Sequence, residues 1–237
     1  MSEALSLSGY AARRGEIETY FDRTAAAAWA KLTSDAPVSG IRATVRAGRD
    51  AMRKTLLFWM PADLAGARIL DAGCGAGQLA IEAARRGADV VAVDVARTLV
   101  DLARERAAKE TLKGGIDFSA GDMLDPALGA FDYVVAMDSL IHYDADDIVE
   151  VLGGLAARTR KAMLFTFAPK TVALSAMHAA GKLFPKADRA PSIRPAAEAG
   201  LRGKIAASAK LDGWSPARTR KVSSGFYTSQ AMELKPQ

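Results

Sequence analysis

Between residues 67 and 169, short apolar runs alternate with helical segments, and no other property of the chain restricts its fold as much. The apolar runs are "ARILDA" (67–72), "ADVVAVDV" (88–95), "GIDFSAGDM" (115–123), "FDYVVAMD" (131–138) and "RKAMLFTFAP" (160–169). Between them lie "GQLAIEAARRG" (77–87), "ARTLVDLARERAAKE" (96–110) and "DADDIVEVLGGLAART" (144–159), with helical spacing. Acidic residues open the last of these, where they complement the helix dipole. Strands separated by helices pair in parallel through right-handed crossovers. Runs this continuously apolar are covered on both faces of the sheet. The expected fold is therefore α/β, a doubly wound and mostly parallel sheet. Its ligand should lie beyond the carboxyl ends of the strands, beside strand one.

The flanks differ from this core. Residues 1–60 read as largely helical, in "GYAARRGEIETYFDRTAAAAWAKL" and "SGIRATVRAGRDAMRKTLLFWMP". Residues 170–210 read as a helix, a Pro-containing loop and another helix. Residues 211–237 hold two strand-like stretches around "SSG", a hairpin that would complete the sheet. The whole chain, 1–237, reads as one domain, with residues 61–169 as its core.

The stretch "LDAGCGAGQ" (70–78) joins the first strand to the first core helix. Gly73, Gly75 and Gly77 allow unusual backbone angles and a close ligand approach. The G-x-G-x-x-G dinucleotide fingerprint would need glycine where Gln78 stands, and a phosphate loop would need Gly-Lys-Ser/Thr. The form present, acidic residue-x-G-x-G-x-G, resembles motif I of class I S-adenosylmethionine-dependent methyltransferases. Asp94, with Val95 after it, ends the second strand, where a carboxylate can accept two hydrogen bonds from ribose hydroxyls. Asp122 and Met123 end the third strand. There the methyltransferase family often sets an acidic residue against the adenine amino group; a turn or helix cap is the other reading. Asp71 is expected to organise the glycine loop and the cofactor's ammonium. The backbone near Met137 and Asp138 would then border the methionine half of the cofactor, and His142 and Tyr143 the acceptor side.

Composition narrows the alternatives. A single cysteine, Cys74, excludes an intramolecular disulfide, and with only two histidines a Cys/His zinc site is not expected. Cys74 reads as a small packed side chain. The net charge of +5 suits an anionic partner, though the basic residues are scattered and "TRK" (219–221) is the strongest late cluster. No Asn/Asp-Pro-Pro-aromatic motif follows strand four, and the cysteine lies in the glycine loop. Nucleic-acid methylation is therefore disfavoured and no nucleic-acid partner is expected. With no signal peptide or membrane span read, the expectation is a cytoplasmic protein.

A closer resemblance spans nearly the whole chain. "YFDRTAAAAWAKL" (20–32), "IRATVRAGRDAMRKTLLFWM" (41–60), "ILDAGCGAGQLAIEAARRGADVVAVDVA" (69–96), "DSLIHY" (138–143) and "SSGFYTSQAMEL" (223–234) are similar to the magnesium-protoporphyrin IX O-methyltransferase family. The resemblance implies methyl transfer from S-adenosylmethionine to a propionate of magnesium-protoporphyrin in chlorophyll or bacteriochlorophyll synthesis. Magnesium enters only as part of the substrate. The resemblance leaves open contact with magnesium chelatase and peripheral attachment to the inner or photosynthetic membrane. Residues 1–60 become a lid and 170–210 a substrate-pocket insertion.

The residues suit that chemistry. A propionic acid, with a pKa of about 4.3, is already an oxygen nucleophile at neutral pH. Catalysis then rests on placing one oxygen in line with the methyl group and excluding water. The family motifs point to Tyr20 and His142 as catalytic groups. His142 would either orient the carboxylate or approach the ring magnesium. Arg46 is the first choice for the cofactor carboxylate, with Arg42, Arg49 and Arg53 competing. Leu174, Met177, His178 and Phe184 would face the macrocycle, although a helical stripe of that kind is often plain core. Two rival functions remain at this point. One is O-methylation of a quinone-pathway phenol, with His142 as base; the other is a non-enzymatic S-adenosylmethionine-binding protein.

Overall fold

The computed structural model describes residues 2–22, 32–33, 40–170 and 192–237. Among the described residues two helices precede the sheet, α1 (Ser2–Tyr20) and α2 (Ile41–Trp59). The core runs β1 (Arg68–Ala72), α3 (Gln78–Arg85), β2 (Asp89–Asp94), α4 (Arg97–Ala107), β3 (Ile116–Ala120), β4 (Phe131–Ala136), α5 (Ala145–Ala156) and β5 (Thr159–Phe167). After it come α6 (Glu198–Ala207), β6 (Trp214–Ser224) and β7 (Tyr227–Pro236). The strand order is β3-β2-β1-β4-β5-β7-β6. The first five strands are parallel, and β7 runs antiparallel between β5 and β6.

Strand parity explains the apolar runs. Leu70, Val91, Val93, Val134 and Phe165 pack with Leu152 of α5, Leu201 of α6, and Tyr10 and Ile17 of α1. Their neighbours Ile69, Val90, Ala92, Val135 and Leu164 point the other way, onto Met52 and Leu56 of α2, Ala80 of α3 and Val100 of α4. Each face is thus covered, and a change such as Leu70→Ala would cost about 2–5 kcal/mol.

The hairpin expected at the end is present, closed by the two residues Gly225 and Phe226 between Ser224 and Tyr227. Its outer strand carries the "TRK" cluster along the sheet edge, where Pro216, a bulge, and exposed Arg220 and Lys221 discourage pairing with another chain. The second helix expected in 170–210 is α6. The first, with Leu174, Met177, His178 and Phe184, lies outside the described residues. No described helix is long and apolar enough to cross a membrane.

Candidate active site

At the carboxyl end of β1 the chain must leave a buried strand and begin α3 within six residues. It does so through Gly73, Gly75 and Gly77, at φ 85°, 52° and 79°. Gly73 and Cys74 donate their N–H groups to the Val93 carbonyl at 2.8 and 3.0 Å, tying the loop to β2. A Cβ on Gly73 would come within 2.4 Å of Ser139 Cβ, and one on Gly77 within 2.8 Å of Ala103 Cβ. Glycine is therefore required at both positions by conformation and by space.

Asp94 braces the loop from β2. Its Oδ2 accepts from the Gly75 N–H at 2.8 Å and its Oδ1 from the Ala96 N–H at 2.9 Å. A carboxylate has about four acceptor sites, so it can still meet a ribose hydroxyl. Burial pushes its pKa up, against backbone hydrogen bonds from Ala96, Gly75 and Val95.

Asp71 is buried beneath the loop, and its Oδ2 meets no hydrogen-bond partner among the described residues. Burial and the neighbouring charge of Asp94 push its pKa to about 7, opposed by a backbone hydrogen bond from Ala80. An unsatisfied carboxyl oxygen in such a place fits an incoming cation.

Two cavities meet at the loop. The larger is lined by Gly73, Asp94, Val95, Leu99, Gly121, Met123, Met137, Asp138, Ser139, His142 and Tyr143 from the core, with Arg49 of α2. Tyr10, Ile17 and Phe21 close it from the N-terminal side. The smaller is polar and bordered by Arg49, Arg53, Asp71, Cys74 and Gln78. Arg49, Gly73 and Met137 belong to both.

Helix α1 is fastened to the rim at its middle and just past its C-terminal end. Tyr10 donates to Asp122 Oδ1 at 2.6 Å, and Arg14 pairs with Asp122 Oδ2. With the Leu124 N–H also on Oδ1 at 2.9 Å, one acceptor site of Asp122 is left, on Oδ2. Past the C-terminal end, Asp22 accepts from the Thr98 N–H at 3.0 Å and from its hydroxyl. Asp22 thereby caps α4, whose own N-cap, Ala96, offers no side-chain acceptor.

The acceptor side is aromatic. Tyr143 stacks on Tyr10 with centroids 5.3 Å apart. Its pKa is raised, chiefly by burial, so the hydroxyl stays protonated. His142 ends the 3-10 turn Leu140–His142, is 8% exposed, and meets Phe21 edge-on at 6.4 Å. Tyr20 is half-buried and packs edge-on against Phe21 at 5.1 Å. It stands one ring behind the cavity wall. Arg46 donates to the Leu32 carbonyl at 2.9 Å, so the arginine at the junction of the cavities is Arg49. Gln78 spans from the smaller cavity to the Thr33 carbonyl at 2.7 Å.

Sequence reasoning did not single out Tyr10, Ile17, Phe21 or Ser139, and placed Asp138 by its backbone alone. A signal for the α1 residues was there: positions 10, 14, 17 and 21 share one helix face. The side-chain partners of Asp138 left none, because they come from three distant places in the chain: Arg49, Thr166 and the Tyr227–Ser229 stretch.

Seven strands in this order, with carboxylates at the ends of β2 and β3 and a glycine loop after β1, define a class I S-adenosylmethionine-dependent methyltransferase. A family model described as a methyltransferase domain matches residues 69–162, and one for the C-terminus of magnesium-protoporphyrin IX methyltransferase matches residues 136–236. The magnesium-protoporphyrin O-methyltransferase of Rhodobacter capsulatus is 51% identical over 231 residues, covering 97% of this chain and 99% of that one. The chain belongs to this family. The crystal structure of magnesium protoporphyrin IX methyltransferase from Synechocystis PCC 6803 with bound SAH superposes with a TM-score of 0.81. It is 28% identical and covers 93% of this chain and 98% of its own. Similarity to a ubiquinone biosynthesis O-methyltransferase of Xanthomonas oryzae reaches 42% identity, but over 83 residues and 34% of each chain.

Proposed function

We infer that this chain transfers a methyl group from S-adenosylmethionine to a propionate carboxylate of magnesium-protoporphyrin IX, giving the monomethyl ester. The near full-length relation at 51% identity to the Rhodobacter capsulatus enzyme carries this reading. The phenol-methylating alternative rests on a likeness confined to a third of the chain. Labelled S-adenosylmethionine offered with magnesium-protoporphyrin or with a catechol tests it. Label in the porphyrin ester alone supports the reading; label in the catechol alone overturns it.

The bound donor would supply an electrophilic methyl group on a sulfonium. Its adenosine fits the larger cavity, with Asp94 on the ribose and the free acceptor site of Asp122, beside Met123, toward the adenine. Its amino-acid end fits the smaller cavity, with the ammonium at Asp71 and the carboxylate at Arg49 and Arg53. The acceptor needs no strong base, being ionised already at neutral pH. His142 is assigned to hold and orient one carboxylate oxygen and Tyr143 to the macrocycle side, while Tyr20, behind Phe21, backs the wall and reaches the carboxylate only when Phe21 turns aside. Leu174, Met177, His178 and Phe184 extend that wall in this reading. Ile17 and Phe21 exclude water, which would otherwise occupy the lone pairs of the nucleophile. Peripheral membrane attachment and hand-over from magnesium chelatase accompany the reading; the 79% exposed Phe58, in a groove shared with Lys54 and Arg86, supports the former.

A further inference from the structure

Asp138 follows β4 at φ 55°, and among the described residues it is the one non-glycine with positive φ. L side chains rarely adopt this conformation, so the surroundings must hold it. Its carboxylate is 5% exposed. Oδ2 accepts from Arg49 at 2.7 Å, and both oxygens accept from the Tyr227 hydroxyl at 3.1 Å. Oδ1 also accepts from Ser229 at 3.0 Å and from Thr166 at 3.2 Å, while the Asp138 N–H donates to Thr166 Oγ1 at 2.7 Å. Two of these donors belong to the C-terminal hairpin.

The same hairpin packs tightly on α2. A Cβ on Gly48 would lie 2.3 Å from Tyr227 Cδ1, so the absent side chain lets the ring pass directly beneath the helix. The next residue of the helix is Arg49, which borders both cavities. Burial raises the pKa of Tyr227, so its hydroxyl remains a donor to Asp138. A hairpin that merely completed the sheet would need none of these polar contacts, since the β5–β7 ladder already holds it.

We propose that Tyr227 and Ser229 are positioning residues: through Asp138 they fix Arg49 where the two cavities meet, and so set where the donor's carboxylate comes to rest. The inference rests on the reading that Arg49 meets that carboxylate. The guanidinium is suited to the task, because its planar fork has donors on more than one edge and one of them is held on Asp138. A shift of Arg49 moves the amino-acid half of the donor and with it the reacting carbon, to which transfer is sensitive.

The test compares two ligands by calorimetry on the full chain, S-adenosylhomocysteine and 5′-methylthioadenosine, which lacks the amino-acid carboxylate. Ser229→Ala, Tyr227→Phe and their combination are measured in the wild-type and Arg49→Gln backgrounds, each with its Tm. The double change should weaken S-adenosylhomocysteine about five- to tenfold and leave methylthioadenosine unchanged. In the Arg49→Gln background it should have no further effect. Equal losses for both ligands, additive losses in that background, or a lowered Tm with unchanged affinity would reduce the hairpin to a fastening and overturn the proposal. Ser229→Ala alone, which removes one hydroxyl, gives a smaller effect of the same pattern if the double variant does not fold. If Arg49→Gln itself leaves S-adenosylhomocysteine binding unchanged, the donor-carboxylate reading falls and the inference with it. If Arg49→Gln weakens that ligand selectively and the hairpin variants do not, the inference alone falls.

Discussion

Lowering the pH from 7 to 6 should weaken donor binding through a single buried group. Asp71 is 1% exposed, and its carboxyl is held up at about 7 by burial and by the charge of Asp94. An ammonium entering the cavity that Asp71 borders would return it to the ordinary carboxylate range. The sign follows from proton counting. Below pH 7 the free protein carries this proton and the complex does not, so binding must release it. Affinity therefore rises with pH up to about 7 and levels off above.

The size follows as well. With a pKa of about 7, about ten molecules in eleven are protonated at pH 6 and half at pH 7, so affinity should fall about fivefold, or about 1 kcal/mol. The ligand's amino group stays protonated over this range. Calorimetry with S-adenosylhomocysteine in buffers of different ionisation enthalpy reads the proton directly: about 0.9 released at pH 6 and about 0.5 at pH 7. Asp71→Asn should remove this component. If wild type and variant show the same pH dependence and the same proton release, Asp71 does not meet the ammonium and the reasoning fails.

Asp94→Ala should weaken S-adenosylhomocysteine by about 2 kcal/mol, the loss of charge-assisted hydrogen bonds to the ribose, and an unchanged affinity in a folded variant would remove that assignment. Deleting residues 1–22 should leave the sheet folded by circular dichroism and abolish turnover, since Tyr10, Ile17 and Phe21 form one wall of the cavity; full activity would make α1 dispensable. His142→Ala should lower kcat or porphyrin affinity while S-adenosylhomocysteine affinity stays near wild type, and His142→Gln should retain more activity than Ala. Equal loss in both, with a wild-type rate limb that follows the imidazole's protonation by NMR, would instead make His142 a base.

The sheet was legible because its strands are buried on two faces. "VVAVD" and "FDYVVA" are apolar at both parities, a pattern that amphipathic surface strands do not give. Boundaries drifted slightly: the run taken as 160–169 is the strand Thr159–Phe167, since only the ladder to β4 and β7 decides where pairing stops. The glycine loop and Asp94 were readable because their geometry is local, set within about twenty residues. The choice among arginines was not. Positions 42, 46, 49 and 53 repeat at helical spacing, and which one faces the cavities depends on how α2 sits on the hairpin through Gly48 and Tyr227. Asp122 read as an acceptor for the adenine or as a turn or cap; it does accept from the Leu124 N–H two residues on, and Tyr10 and Arg14, more than a hundred positions earlier, occupy more of it. No pattern of neighbours in sequence encodes a contact of that span.

The borrowed cap on α4 gives the N-terminal segment a reporter elsewhere in the chain. When Asp22 leaves, the Thr98 amide loses its acceptor and joins the unsatisfied donors of a helix start, open to water. Exchange of that one proton therefore measures how long α1 stays seated, 76 positions away, in a protein carrying no label and no acceptor. A ligand that holds α1 down slows the exchange, and one that binds without engaging α1 leaves it unchanged. Seating of the segment and filling of the pocket thus become separately observable quantities in the same molecule.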